Sequence, residues 1–307
     1  MNARLRAVAT SLAAVAMFVL GSAIVPAATA SAQSASTGSA GAQDEEPPAG
    51  ANDWSCRPSQ QHPRPVVLLH GTGWSMKQSL PALTSALKAD GYCVYALNYG
   101  GTREFFGLGP TAWGTAAIEG SARELAAFVD RVRESTGVEQ VDIVGHSQGG
   151  MMPRQYLKFE HGADPVDPAR NKVRTLVMLG PSTHGTTFDG ARPVGVAMNQ
   201  QLAGSAFLTN LNAGQETYPG IDYTVIATKK DKTITPPESS FLIPAPGTSV
   251  RNMFVQDVCQ DDSLEVAHSG QVLYPDGSKG LLDHPVSLFL VRKALDPTLQ
   301  GTIPCSG

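Results

Sequence analysis

Short runs of almost uninterrupted apolar residues recur along the chain at Val66–Leu69, Cys93–Ala96, Val141–Val144, Leu176–Leu179, Tyr223–Ala227 and Met253–Val255. A strand with one wet face alternates apolar and polar residues. These runs barely alternate, so they read as strands covered on both faces. Between them the period changes. From Ala117 to Glu134, the residues Ile118, Ala122, Leu125, Val129 and Val132 recur at helical spacing, which predicts a helix with one buried stripe. Leu80–Ala89, Met151–Phe159 and Val286–Leu295 are further helix candidates. Strands alternating with helices require right-handed crossovers, which lay parallel strands side by side. The expectation is an α/β fold, a mostly parallel sheet of about six strands with helices on both faces.

Three regions follow from composition. Residues 1–32 read as a signal peptide: Arg4 and Arg6 precede an apolar run from Ala7 to Val25, and small residues near Ala28–Ala32 suit cleavage. Residues 33–53 are rich in Ser, Ala, Gly, Gln and Pro and read as a disordered leader. Residues 54–307 are long enough for one sizeable α/β domain. A membrane anchor is the rival reading of the first segment, but no other long apolar run follows, so the expected product is secreted, without a transmembrane anchor after cleavage. A net charge of −4 without basic clustering argues against nucleic acid as a partner. Cys56, Cys93, Cys259 and Cys305 match no zinc spacing. An even count in an exported chain favours two disulfides, and of the three possible pairings proximity favours Cys56–Cys93 with Cys259–Cys305.

Gly145-His146-Ser147-Gln148-Gly149 falls between a strand candidate and a helix candidate. A sharp strand-to-helix turn pushes the serine into a strained backbone conformation and leaves no room for side chains two residues either side. The helix N-terminus then brings free N–H groups near the hydroxyl. Such a turn resembles the nucleophile elbow of the α/β-hydrolase fold and marks Ser147 as a nucleophile. In that fold the loop after the first strand supplies an oxyanion donor. Here it is His70-Gly71-Thr72-Gly73, so Thr72 and Gln148 are the candidate oxyanion residues, with the Thr72 hydroxyl as a third donor. The triad order is Ser, then acid, then His. Asp231 lies just beyond a late strand, whereas Asp222 precedes it and falls at the opposite end. Two late histidines compete for the base. His268 follows the last strand by a short loop, and His284 sits at the start of the final helix as a cap residue, so His268 is favoured. His146 and His184 come too early in the chain. Thr186–Gly220 breaks the strand–helix rhythm and reads equally as a substrate-covering insertion or as a surface excursion.

Several further motifs together resemble the bacterial secreted class 2 lipases. They are Gly91–Gly100, Phe207–Asn212, Tyr223–Thr228 with Asp231 and Pro236, and Ala294–Pro297. A more distant likeness is to fungal lipase B. The resemblance implies a triacylglycerol lipase or esterase with a Ser147–Asp231–His268 triad, oxyanion donors at Thr72 and Gln148, the same two cysteine pairings, no metal and no organic cofactor. It implies a lipid or other ester substrate, met at a lipid–water interface, and a monomer is expected. One departure is local: Pro275–Asp283 looks inserted, and His284-Pro285-Val286 replaces the Asp-Pro-Val that opens the last helix in the family. An acyltransferase or a polyester hydrolase would use the same triad, and a non-catalytic binding protein on this fold is the rival of another class.

Overall fold

The computed structural model describes residues 46–103, 111–190, 193–270 and 277–305. The export segment read over 1–32 and leader residues 33–45 lie outside the described residues. The strands are β1 (Val66–Leu69), β2 (Val94–Leu97), β3 (Thr102–Arg103), β4 (Thr111–Ala112), β5 (Val141–His146), β6 (Val173–Leu179), β7 (Asp222–Ala227) and β8 (Ser249–Phe254). Six of them form one sheet in the order β2-β1-β5-β6-β7-β8. Every adjacent pair is parallel. β3 and β4 make a separate short antiparallel ribbon. This is the parallel α/β sheet that the apolar runs predict.

Side chains leave a strand alternately on its two faces, and the two cores follow that alternation. Val67 and Leu69 of β1 face one core with Ile143, Met178 and Val225, packed against Leu125 and Val129 of the helix Ile118–Thr136 and Met151 of the helix Gln148–Phe159. Val66 and Leu68 face the other with Val144, Val177 and Ile226, packed against Leu83 and Leu87 of the helix Pro81–Ala89 and Val291 of the helix Pro285–Leu295. Both faces are therefore covered. The helix Ile118–Thr136 ends at Gly137, whose φ of 71° is the left-handed conformation that stops a helix at little cost in glycine.

Two local readings shift. The helix expected from Met151 starts at Gln148, because Gly149 and Gly150, poor helix formers, hide its first turn. The last strand begins at Ser249 rather than Met253 and ends at Phe254, and Val255 opens a short helix to Cys259. β8 is an edge strand in which only Phe254 is buried, so it lacks the apolar run that marks the central strands. Asn52, within the segment read as leader, is bound to β2. Asn52 Nδ2 donates to Ala96 O (2.9 Å) and its Oδ1 accepts from Ala96 N (2.7 Å), while Asn52 N donates to Val94 O (2.9 Å). One side-chain amide thus pairs with β2 as a neighbouring strand would, an interaction that composition does not reveal.

Cys56 is joined to Cys93, and Cys259 to Cys305. The first bridge spans 37 residues, a closure that stabilises by restricting the unfolded chain, worth on the order of 4 kcal/mol. Cys56→Ser with Cys93→Ser is expected to lower the unfolding free energy by roughly 2–4 kcal/mol, measured as a shift in the urea midpoint under non-reducing conditions.

Candidate active site

β5 runs out at His146, and the chain turns through Ser147 at φ 54° and ψ −122° into the helix Gln148–Phe159. A positive φ is costly for a residue with a Cβ, and hydrogen bonds hold it. Ser147 N donates to Leu179 O (2.8 Å), and Ser147 O accepts from Gly150 N (2.9 Å) and Met151 N (3.2 Å). The flanking glycines are obligatory. A Cβ on Gly145 would stand 1.9 Å from Gly149 O, and one on Gly149 would stand 2.3 Å from His70 O. The turn packs directly on the loop that follows β1.

Asp231 lies four residues beyond Ala227, the end of β7. Its Oδ1 accepts from the backbone N–H groups of Thr233 and Ile234 (2.8 Å each), and its Oδ2 takes the Nδ1–H of His268 at 2.7 Å. A carboxylate only accepts, so the proton sits on Nδ1 and leaves Nε2 with its lone pair. The His268 loop is tied from two sides. Thr228 Oγ1 donates to Val266 O (2.7 Å), and His146 Nε2 donates to the carbonyl of His268 itself (2.9 Å). Ser147 and His268 line one cavity of about 210 Å³, walled on its apolar side by Trp74, Phe188, Met198 and Ile234. Among the described residues no hydrogen bond reaches His268 Nε2, so the hydroxyl of Ser147 is not engaged with it in this conformation.

Thr72 lies in the loop after β1, and Gln148 is the first residue of the helix, so its N–H is outside the helical ladder. Among the described residues no backbone carbonyl accepts from the N–H of either. The Thr72 hydroxyl departs from the expectation of a third donor, since it donates to Gln148 Oε1 at 2.6 Å. Gln201 Nε2 in turn donates to Thr72 Oγ1 at 2.9 Å. Gln201 and His146 had no functional reading in the sequence, and no motif marks either side chain.

The competing candidates fall elsewhere. His284 caps the final helix, its Nδ1 accepting from Val286 N (3.2 Å). Asp222 opens β7 at the opposite end of the sheet and pairs with Arg174 at 2.7 Å. His184 Nε2 bonds Glu216 Oε1 at 2.7 Å. The segment Thr186–Gly220 carries the short helices Val196–Gln200 and Ala206–Asn212, and Phe188, Met198 and Gln201 from it line the cavity. Among the described residues no group of three or more His, Cys, Asp or Glu is arranged to hold a metal ion, and no helix is long and apolar enough to cross a membrane.

Two buried histidines support the site as neutral rings. His70 stacks on Tyr99 with centroids 4.3 Å apart, its Nδ1–H donating to Gly71 O (2.8 Å) and its backbone O accepting from Tyr99 Oη (2.6 Å). Burial pushes its pKa from 6.5 down to about 4. Burial, with the charge of a protonated His268 second, lowers His146 well below the ordinary range. Unfolding restores both to ordinary imidazoles, so the unfolded chain binds more protons and stability is complete only above pH 6.5. The expected result is a urea midpoint that falls as pH drops from 6.5 toward about 4. The fall expected above pH 5 reports buried imidazoles, these two together with His284, which burial also lowers. Ordinary carboxylates titrate near pH 4, and the raised carboxyls of Glu124 and Asp142 act in the opposite sense. A flat profile between pH 6.5 and 5 would contradict two neutral buried imidazoles.

The sequence model of the family described as Lipase (class 2) matches residues 63–246, more than half of the 307 residues. Among solved structures the fold is similar to lipase B of Aspergillus fumigatus, at 18% identity and a TM-score of 0.60 over 81% of this chain and 55% of that one. It is also similar to phospholipase PlaB of Legionella pneumophila in complex with thio-NAD, at 14% identity and a TM-score of 0.55 over 76% of this chain and 58% of that one. The chain thus spans little more than half the length of either. At such identities these two likenesses speak to the fold, whereas the family match runs from just before β1, through the turn at Ser147, to Asp231 and beyond. The chain therefore belongs to the class 2 lipase family and has the α/β-hydrolase fold.

Proposed function

We propose that the chain is a secreted serine carboxylic-ester hydrolase that cleaves acylglycerols or related lipid esters. The observation that carries the reading is Ser147, strained at the tip of a helix N-terminus, in one cavity with an imidazole whose Nδ1 is already fixed by Asp231.

In the reading, Ser147 Oγ attacks the ester carbonyl carbon as His268 Nε2 takes its proton. The hydroxyl turns toward the imidazole as substrate enters, as catalytic hydrogen bonds commonly tighten on complex formation. The carbonyl oxygen becomes an oxyanion held by the N–H groups of Thr72 and Gln148, each donor worth roughly 10²–10³ in rate. Asp231 stabilises the imidazolium, which then protonates the departing alcohol. Water repeats the sequence on the acyl-enzyme and frees the carboxylic acid. Trp74, Phe188, Met198 and Ile234 would shelter an apolar acyl group. Two disulfides suit an oxidising compartment outside the cytosol.

Ser147→Ala is expected to abolish p-nitrophenyl ester hydrolysis and fluorophosphonate labelling, and retained turnover would remove Ser147 from the role. Asp231→Asn and His268→Ala should each cut kcat by roughly 10³-fold or more, while His284→Ala, which alters a helix cap, should stay within about threefold in kcat. An acyl-chain length series on the wild type defines the preferred ester.

A further inference from the structure

Gln201 is buried, 2% exposed, immediately after the helix Val196–Gln200 and against the cavity that holds Ser147. Its side-chain amide is saturated in a directional way. Oε1 accepts from Ser182 Oγ (2.9 Å), and Nε2 donates both to Ala197 O (3.1 Å) and to Thr72 Oγ1 (2.9 Å). Thr72 Oγ1 then passes its single hydrogen to Gln148 Oε1 (2.6 Å). The result is a one-way chain, Ser182 to Gln201 to Thr72 to Gln148. It ends on the two residues whose backbone N–H groups serve as oxyanion donors in the reading above. Because Gln201 occupies the Thr72 oxygen as a donor, the threonine hydrogen is free to point only elsewhere, and it points at Gln148. The bridge fixes the separation of Thr72 and Gln148, which come from different elements 76 positions apart.

We propose that Gln201 is a positioning residue for catalysis: through the Thr72 hydroxyl it locks the loop after β1 to the start of the nucleophile helix and so sets the geometry of the oxyanion pair. This rests on the hydrolase reading of Ser147. It also makes that geometry depend on the docking of the Val196–Gln200 helix, since the same Gln201 amide bonds Ala197 O of that helix. Donors placed for the oxyanion act on the transition state more than on the ester carbonyl, so losing the lock should appear in kcat rather than KM.

The test is a double-mutant cycle on p-nitrophenyl ester hydrolysis with Gln201→Met, which keeps length and removes every hydrogen bond, and Thr72→Val, which removes the hydroxyl. Each single variant is expected to lose about tenfold in kcat, equivalent to about 1.4 kcal/mol, with KM changed less than twofold. If Gln201 acts through Thr72, the double variant loses no more than Thr72→Val alone. The rate of fluorophosphonate labelling should fall in the same proportion as kcat. Multiplying losses in the double variant, an unchanged kcat in Gln201→Met, or a loss confined to KM would each overturn the proposal. Should Gln201→Met fail to fold, Ser182→Ala frees the other end of the amide and is expected to lower kcat two- to threefold, and an unchanged kcat there overturns it equally. Failure of the hydrolase reading is a separate result: wild-type protein that neither turns over esters nor labels at Ser147.

Discussion

Ser147 can face its cavity only because two backbones nearly touch around it. The turn holds Gly145 against the carbonyl of Gly149, and Gly149 against the carbonyl of His70, at separations that no side chain would allow. That contact presses the end of β5 onto the loop after β1. It brings a serine with left-handed φ, the first N–H of a helix and a loop amide together at one edge of the sheet. Parallel strands end on the same side, so β7 delivers Asp231 and the loops after β8 deliver His268 to the same edge. The rest of the site is arranged around an approach that only glycine permits.

Polar groups around this edge are buried, and their geometry follows from what each atom can donate or accept. Asp231 is saturated by two amides and one imidazole N–H, which leaves the His268 lone pair on the other nitrogen. His146, next to Ser147, spends its one N–H on the backbone of the residue it faces. The strand that presents the serine therefore also steadies the loop that presents the imidazole. His70 does the same for the loop after β1, clamped between Gly71 and Tyr99. Burial keeps both of these rings uncharged, so they serve as struts of fixed tautomer.

What the sequence reveals and what it hides separate by range of interaction. Apolar runs in β1, β5, β6 and β7 are legible because burial on both faces demands them, and the serine turn is legible because its glycines are sterically required. Asp231 and His268 follow from chain order and strand ends. β8 is harder to bound because an edge strand keeps few apolar residues. The start of the helix Gln148–Phe159 is masked by Gly149 and Gly150. Asn52, Gln201 and the tie from His146 to His268 are invisible to periodicity, because each depends on side-chain hydrogen bonds that reach 44 to 129 positions away.

The two disulfides acquire a meaning from where the strands lie. Cys93 immediately precedes β2 and Cys259 ends the short helix that continues from β8, and these are the outermost strands of the sheet. Outer strands have a neighbour on one side only, so they are where a sheet peels first and where stray chains add on. Covalent bolts at both margins place the reinforcement where hydrogen bonding is thinnest. The interior of the sheet is left to hold by its paired ladders and by packing, without covalent ties.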